Sequence, residues 1–117
     1  MEYNKGLHII CDLDSASSET LSNMEPFKKL VDEQIQMHQL TSTGSVFHSF
    51  SNGGFTAVVG LTESHLSVHT WPEFGKATFD IFLSNFMQVN NGTCEEIADA
   101  IQKYFGGYVS QIHRIQR

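Results

Sequence analysis

The stretch FTAVVGLTESHLSVHTWPEFGKATFDIFL, residues 55–83, contains three strand-like segments in direct succession. They are residues 55–62, 64–71 and 76–83, and each is rich in the β-branched and aromatic residues that favour strands. The second and third are joined by Pro-Glu-Phe-Gly, residues 72–75, which has the composition of a tight turn. Since strands joined by short turns pair antiparallel, the stretch predicts three neighbouring strands of an antiparallel sheet.

Upstream, the sequence predicts a strand, a helix and one more strand. Residues 7–13 are a short apolar run typical of a buried strand. Between residues 25 and 40 the apolar residues recur at helical spacing, and Pro26 suits the first turn, where its missing N–H costs nothing. Residues 45–50 then form a strand that leads into a turn at residues 51–54, which predicts a hairpin.

Downstream, the sequence predicts a second helix and a last strand. Thr93 and Glu96 have the spacing of a capping box, and residues 108–115 alternate as a strand does. The helix between them has an apolar face of Ile97, Ala98, Ile101, Tyr104 and Phe105. We therefore expect an α+β fold, a two-layer α/β sandwich in the order β-α-β-β-β-β-α-β, with two helices on one face of a mostly antiparallel sheet.

The composition describes a single domain, residues 1–117, with a net charge of −6. Because 13 acidic side chains face 7 basic ones and no extended Lys/Arg run occurs, we expect no nucleic-acid partner. The first residues have the pattern of neither a signal peptide nor a membrane span, so we expect a cytoplasmic protein with no membrane partner. Cys11 and Cys94 form neither a disulfide framework nor a zinc motif.

Polar residues that can carry chemistry are densest from Glu63 to Glu73. By pattern alone, a polar strand face explains them as well as a catalytic site does. His65 and His69 lie on a β-like segment, where their spacing is not that of a helical zinc pair, so we expect no metal. A Ser-His-Asp hydrolase is disfavoured because the sequence contains no Gly-x-Ser-x-Gly elbow around Ser64 or any other serine.

The segment ESHLSVHTWPEFGKATFDIF, residues 63–82, closely resembles the self-cleavage and active-site segment of the bacterial and archaeal S-adenosylmethionine decarboxylases. The resemblance extends more loosely over residues 6–84, and the remainder of the chain is generic. It implies that the Ser64 hydroxyl attacks the Glu63 carbonyl and that β-elimination follows. The expected products are a β chain, residues 1–63, and an α chain, residues 64–117, whose pyruvoyl group, made from Ser64, is the cofactor and acts as an electron sink.

The resemblance also implies the residues that support processing and catalysis. His69 matches the histidine that handles the elimination proton, and Thr56 stands where the family usually has a serine. Because five positions separate Ser64 from His69, an ideal strand puts them on opposite faces, so we expect a bend or bulge between them. Ser84 replaces the usual catalytic cysteine, a far better proton donor. Cys11 or Cys94 is a candidate to replace it in space, but Cys94 lies at the start of a predicted helix, where we expect it to pack as a small hydrophobic residue.

For the substrate, the resemblance implies that Phe50 stacks on adenine, that Glu73 binds the ribose hydroxyls and that Leu66 belongs to the binding site. It also implies a homodimer with the active site at the interface. Both faces of residues 55–61 are largely apolar, which is typical of a sheet buried on both sides.

Three functions remain open at this point. The chain is an S-adenosylmethionine decarboxylase of spermidine biosynthesis, a pyruvoyl-dependent arginine or ornithine decarboxylase on the same fold, or a non-catalytic homologue that is not cleaved. Replacement of the catalytic cysteine by Ser84 favours the last, whereas the intact Glu63-Ser64 pair with His69 and Glu73 opposes it.

Overall fold

A computed structural model describes residues 2–117, which form one six-stranded sheet with helices on one face. The strand order is β2-β3-β4-β5-β1-β6, and every neighbouring pair is antiparallel. The expected α+β sandwich is therefore confirmed. Its elements are β1 (Leu7–Asp14), α1 (Ser18–Leu21), α2 (Met24–Met37), β2 (Ser42–Ser49), β3 (Phe55–Leu61), β4 (Ser64–Trp71), a 3-10 turn (Pro72–Phe74), β5 (Lys76–Leu83), α3 (Asn91–Phe105) and β6 (Tyr108–Gln116).

Alternate strand residues face the helices and form a single core. At its centre the Phe27 ring of α2 stacks on Phe105 of α3 and packs against Phe55 of β3, with centroid distances of 5.4 Å in both cases. The three rings are fully buried, which holds both long helices against the same side of the sheet. No helix formed by residues 2–117 is long and apolar enough to cross a membrane.

The short helix α1 was not predicted, and α2 ends at Met37 rather than at residue 40. Tertiary contacts explain two further differences, at the starts of β2 and α3. β2 begins at Ser42 rather than residue 45, because its start is set by pairing with Leu61 of β3. The capping box at Thr93 is wrong, since α3 begins at Asn91 and its first hydrogen bond joins the Cys94 N–H to the Asn90 carbonyl at 2.9 Å. The helix start is fixed instead by a buried Asn90, whose N–H donates to the Asn85 side chain at 2.6 Å.

The bend or bulge expected between Ser64 and His69 is also wrong. From Ser64 to His69, β4 pairs with both β3 and β5 in an unshifted register, with Ser64 opposite Leu61 and His69 opposite Thr56 of β3. A strand paired on both sides, with one face in the core, cannot slip its register without exposing its apolar residues. Ser64 and His69 therefore lie toward opposite ends of β4, about 16 Å apart along the strand at the usual rise per residue.

Candidate active site

The predicted site residues form two groups at opposite ends of the β3–β4 hairpin. We call the first the cleavage end, which consists of Glu63 and Ser64 at the hairpin turn, of Ser84, which follows β5 and contacts Glu63, and of the adjoining His65, which was not predicted as a site residue. We call the second the pocket end, which consists of the side chains that line a cavity at the other end of the two strands, Phe50, Thr56, His69 and Glu73.

At the cleavage end, three features act on the Glu63-Ser64 peptide unit. The Glu63 carbonyl oxygen accepts a hydrogen bond from the Ser84 N–H at 2.8 Å, which polarises the carbonyl toward attack. Ser64 has a φ of 151°, a backbone conformation that residues other than glycine rarely adopt, so the chain is strained at this residue. The Ser64 Oγ lies 3.3 Å from Nδ1 of His65. A hydroxyl, a base and a polarised carbonyl together suit an intramolecular acyl shift.

Behind His65 lies a half-buried carboxylate that sequence reasoning missed. Asp80 Oδ2 is 2.7 Å from Nε2 of both His8 and His65, and Ser67 donates a hydrogen bond to the other carboxylate oxygen. Burial raises the pKa of Asp80, but the hydrogen bonds from Ser67 and the two histidines outweigh it and hold that pKa below its ordinary value. Asp80 is therefore ionised at neutral pH.

His8, His65 and Asp80 also have the composition of a metal site. Their ligand atoms all lie within 4.8 Å of one another. Direct hydrogen bonds from both imidazoles to the carboxylate already account for this closeness. The alternation of polar residues along β4 was the available signal in the sequence. The cluster also needs His8 of β1, a strand that is distant in sequence from both β4 and β5.

The pocket end is a cavity of about 650 Å³, and it brings four predicted residues together. Its polar wall includes His69, whose Nδ1 lies 3.0 Å from the Thr56 hydroxyl, and Glu73, which accepts a hydrogen bond from the Asn52 amide. Its apolar wall includes Phe50, a ring that is 51% exposed. Such a cavity can hold a ligand with a flat aromatic group and neighbouring hydroxyls.

Comparison with known proteins identifies the family. A sequence model of the S-adenosylmethionine decarboxylase family matches residues 7–117. This chain belongs to that family. It is 40% identical to the S-adenosylmethionine decarboxylase proenzyme of Sulfurihydrogenibium sp. over 82 aligned residues. These residues cover 70% of this chain and 62% of that protein. It is also 40% identical over 77 residues to the proenzyme of Archaeoglobus fulgidus, 66% of this chain and 69% of the relative.

The fold matches a solved member of the same family. The crystal structure of the adenosylmethionine decarboxylase from Aquifex aeolicus superposes with a TM-score of 0.79 at 28% identity, covering 99% of this chain and 91% of that one. In sequence, the chain spans less than two thirds of the first curated relative, 62% of its length.

Ser84 is where the chain departs from the pattern expected of an S-adenosylmethionine decarboxylase. Its backbone is held on both sides, because its N–H donates to the Glu63 carbonyl and its own carbonyl accepts from the Asn90 side chain at 2.8 Å. The contact with Glu63 is made by the backbone, so it does not depend on whether serine or cysteine occupies position 84.

Neither cysteine is placed to replace the missing thiol of the S-adenosylmethionine decarboxylase pattern. Cys11 and Cys94 are both fully buried in the core. Mainly because the thiols are buried, the pKa of Cys11 is raised to about 11 and the pKa of Cys94 to about 12. The Cys94 thiol donates to the Leu7 and Ile81 carbonyls at 3.4 and 3.6 Å, as a packed core thiol does. Cys94 therefore packs as a small core residue, as expected from its place at the start of a helix, and the burial of Cys11 argues against it as the replacement.

Leu66 is the one predicted substrate-binding residue outside the cavity. Its side chain is 4% exposed and belongs to the core between the sheet and the helices. The other predicted substrate-binding residues, Phe50 and Glu73, both line the cavity at the pocket end.

Proposed function

We propose that this chain is the proenzyme of a pyruvoyl-dependent decarboxylase that acts on S-adenosylmethionine and supplies aminopropyl groups for spermidine biosynthesis, as a cytoplasmic homodimer. The observation that carries the proposal is the environment of the Glu63-Ser64 peptide unit. Its carbonyl is hydrogen-bonded by the Ser84 N–H, its serine is strained, and its hydroxyl lies against an imidazole.

Self-cleavage at this peptide unit needs no outside reactant except water. The Ser64 Oγ adds to the Glu63 carbonyl carbon, the peptide C–N bond breaks, and an ester with a free amine results. Loss of the Cα proton then expels the Glu63 carboxylate and ends the first chain at residue 63. The remaining dehydroalanine is hydrolysed with loss of ammonia, which leaves a pyruvoyl group at residue 64. That ketone supplies an electron sink for decarboxylation of an α-amino acid.

The pocket end favours S-adenosylmethionine over arginine or ornithine. Phe50 offers an exposed aromatic face on which a purine can stack, and Glu73 offers carboxylate oxygens that accept hydrogen bonds from ribose hydroxyls. Arginine and ornithine have neither an aromatic base nor a ribose. The volume of about 650 Å³ also lies within the range of cavities that hold ligands of nucleoside size.

Two observations support a homodimer with shared sites. Ser64 and His69 lie about 16 Å apart along one strand, so His69 of the same chain does not reach the cleavage end. The sheet face opposite the helices, which we call the open face, carries exposed apolar side chains, among them Ile10, Val46, Val58 and Ile115. Two open faces packed around a two-fold axis, with β4 strands in opposite directions, would cover this surface and bring one chain's cleavage end to the other's pocket end.

Substrate choice can be tested with the purified, processed protein. We expect it to release labelled carbon dioxide from carboxyl-labelled S-adenosylmethionine and not from arginine or ornithine. Phe50→Ala should raise KM for S-adenosylmethionine about tenfold, because base–aromatic stacking contributes about 1–3 kcal/mol. The matched control is Tyr108→Ala, which removes an exposed ring on β6 that does not line the cavity and should leave KM unchanged. Release from arginine or ornithine instead, or equal KM for both variants, would contradict the assignment.

Position 84 gives a separate prediction about turnover. A serine hydroxyl is a far poorer acid than a thiol, so protonation of the decarboxylated product should limit this enzyme. We expect Ser84→Cys to raise kcat for S-adenosylmethionine at least about tenfold, or to reduce inactivation by protonation at the wrong atom. Steady-state turnover and the loss of pyruvoyl, followed by mass spectrometry, measure the two effects. If neither changes, another group is the acid.

A further inference from the structure

A continuous chain of polar side chains runs from the cleavage end onto the open face of the sheet. Ser64 Oγ lies 3.3 Å from His65 Nδ1, and His65 Nε2 lies 2.7 Å from Asp80. The carboxylate is held from its other sides by His8 and Ser67. Resemblance to the family assigned a role in processing to His69, and it assigned none to His65 or Asp80.

Hydrogen bonding fixes which nitrogen of His65 can act. A carboxylate only accepts hydrogen bonds when ionised, so Nε2 of His65 carries the proton that is donated to Asp80. The remaining nitrogen, Nδ1, then has a free lone pair directed at the Ser64 hydroxyl. A carboxylate hydrogen-bonded to Nε2 also holds the imidazole ring in this tautomer and orientation. The distance of 3.3 Å is typical of catalytic hydrogen bonds before the reacting groups close.

We propose that His65 is the base that removes the Ser64 hydroxyl proton in the acyl shift that begins self-cleavage, with Asp80 as its positioning residue. The inference rests on the proposed function, because it concerns that self-cleavage. The Oγ proton passes to Nδ1 as the bond from Oγ to the Glu63 carbon forms. His65 then returns the proton to the Ser64 nitrogen as the C–N bond breaks. No proton is gained or lost, and the Ser84 N–H stabilises the charge on the Glu63 oxygen.

This assignment divides the proton transfers of processing between two histidines. His65 adjoins the attacking hydroxyl, whereas His69 lies about 16 Å away along β4, hydrogen-bonded to Thr56. His65 acts in the first step, which forms the ester. His69 of the partner subunit is left for the second step, which removes the Cα proton. Loss of either histidine should therefore stop processing at a different species.

Hydroxylamine distinguishes the two stalled species, because it cleaves esters far faster than amides. We expect His65→Gln to process at least about 100-fold more slowly than wild type, and to stay whole in hydroxylamine because no ester forms. His69→Ala should also fail to process, but hydroxylamine should split it between residues 63 and 64. The control is His113→Gln on β6, an exposed histidine that hydrogen-bonds Gln111 rather than Asp80, which should process at the wild-type rate. Intact-mass spectrometry follows all four proteins.

A second variant separates chemistry from folding. His65→Ala leaves space for free imidazole, which should restore cleavage in proportion to its concentration, and Asp80→Asn should slow cleavage about tenfold with His65 still present. His65→Gln that processes at the wild-type rate, or that hydroxylamine splits, would overturn the inference alone. A His65→Ala protein that imidazole does not rescue would assign His65 a structural role and overturn it as well. A folded wild-type chain that never cleaves would refute the proposed function, and the inference with it.

Discussion

Freshly purified protein should split between Glu63 and Ser64 during incubation, and Ser64→Ala should remain whole indefinitely. The reason is that the groups acting on this peptide unit are all present, including the Ser84 N–H on the Glu63 carbonyl. That contact comes from the backbone, so we expect replacement of the family cysteine by Ser84 to affect later turnover and not cleavage. Intact-mass spectrometry should show fragments of residues 1–63 and 64–117, the second blocked at its N-terminus by a pyruvoyl group.

Ser45→Ala, which removes an exposed hydroxyl on β2, is the matched control and should cleave as wild type does. Reduction with borohydride in the presence of an amine should mark only the 64–117 fragment, since only that fragment carries a ketone. A folded protein that keeps a single uncleaved mass would favour the non-catalytic homologue. Cleavage without a ketone would mean that the ester is hydrolysed before elimination occurs.

The central strands could be predicted from sequence because the residues at their ends determine where each strand begins and stops. β4 and β5 begin and end where predicted, since the turn at Pro72–Phe74 and Gly75 separates two runs with clear alternation. The start of α3 could not be predicted in the same way. Thr93 and Glu96 have good capping chemistry, yet the Asn85–Asn90 contacts place the chain so that the helix begins earlier. A local propensity of this size is easily overridden by tertiary hydrogen bonds.

The site shows the same division between local and distant information. Phe50, Thr56, His69 and Glu73 were predicted as functional residues, and the structure places all four around one cavity. The sequence did not predict that these four residues lie far from Ser64 of the same chain. We expected a bulge in β4 to bring Ser64 and His69 together, but β4 pairs with β3 and β5 without a register shift.

The carboxylate behind Ser64 was missed for a related reason. Asp80 meets His65 through the pairing of β4 with β5, and it meets His8 through the pairing of β5 with β1, 72 positions away in sequence. Alternation along each strand places the three residues on the open face. Only the strand order brings them together. In that order β1 lies next to β5, far along the chain, and no local sequence pattern specifies this pairing.

A mixing experiment gives the largest gain of activity that this arrangement predicts. In the proposed mechanism Ser64 is the nucleophile and His69 is the elimination base, so neither Ser64→Ala nor His69→Ala chains should process alone. In a mixed dimer with shared sites, one site combines Ser64 of the His69→Ala chain with His69 of the Ser64→Ala chain, and it is intact. Random pairing puts about half of the His69→Ala chains in such dimers. We therefore expect about half of all the His69→Ala chains to be cleaved, and none of the Ser64→Ala chains.

Distinct affinity tags allow the two chains to be co-expressed, separated and measured individually by mass spectrometry. The partition of cleavage is the informative quantity, because a site contained within one chain would leave both variants uncleaved in every mixture. Thr56→Ala, which removes the hydroxyl that contacts His69, should behave as His69→Ala does and be complemented by Ser64→Ala. Light scattering completes the test, since a stable monomer of 13.1 kDa at micromolar concentration would leave the open face uncovered and would contradict the shared site.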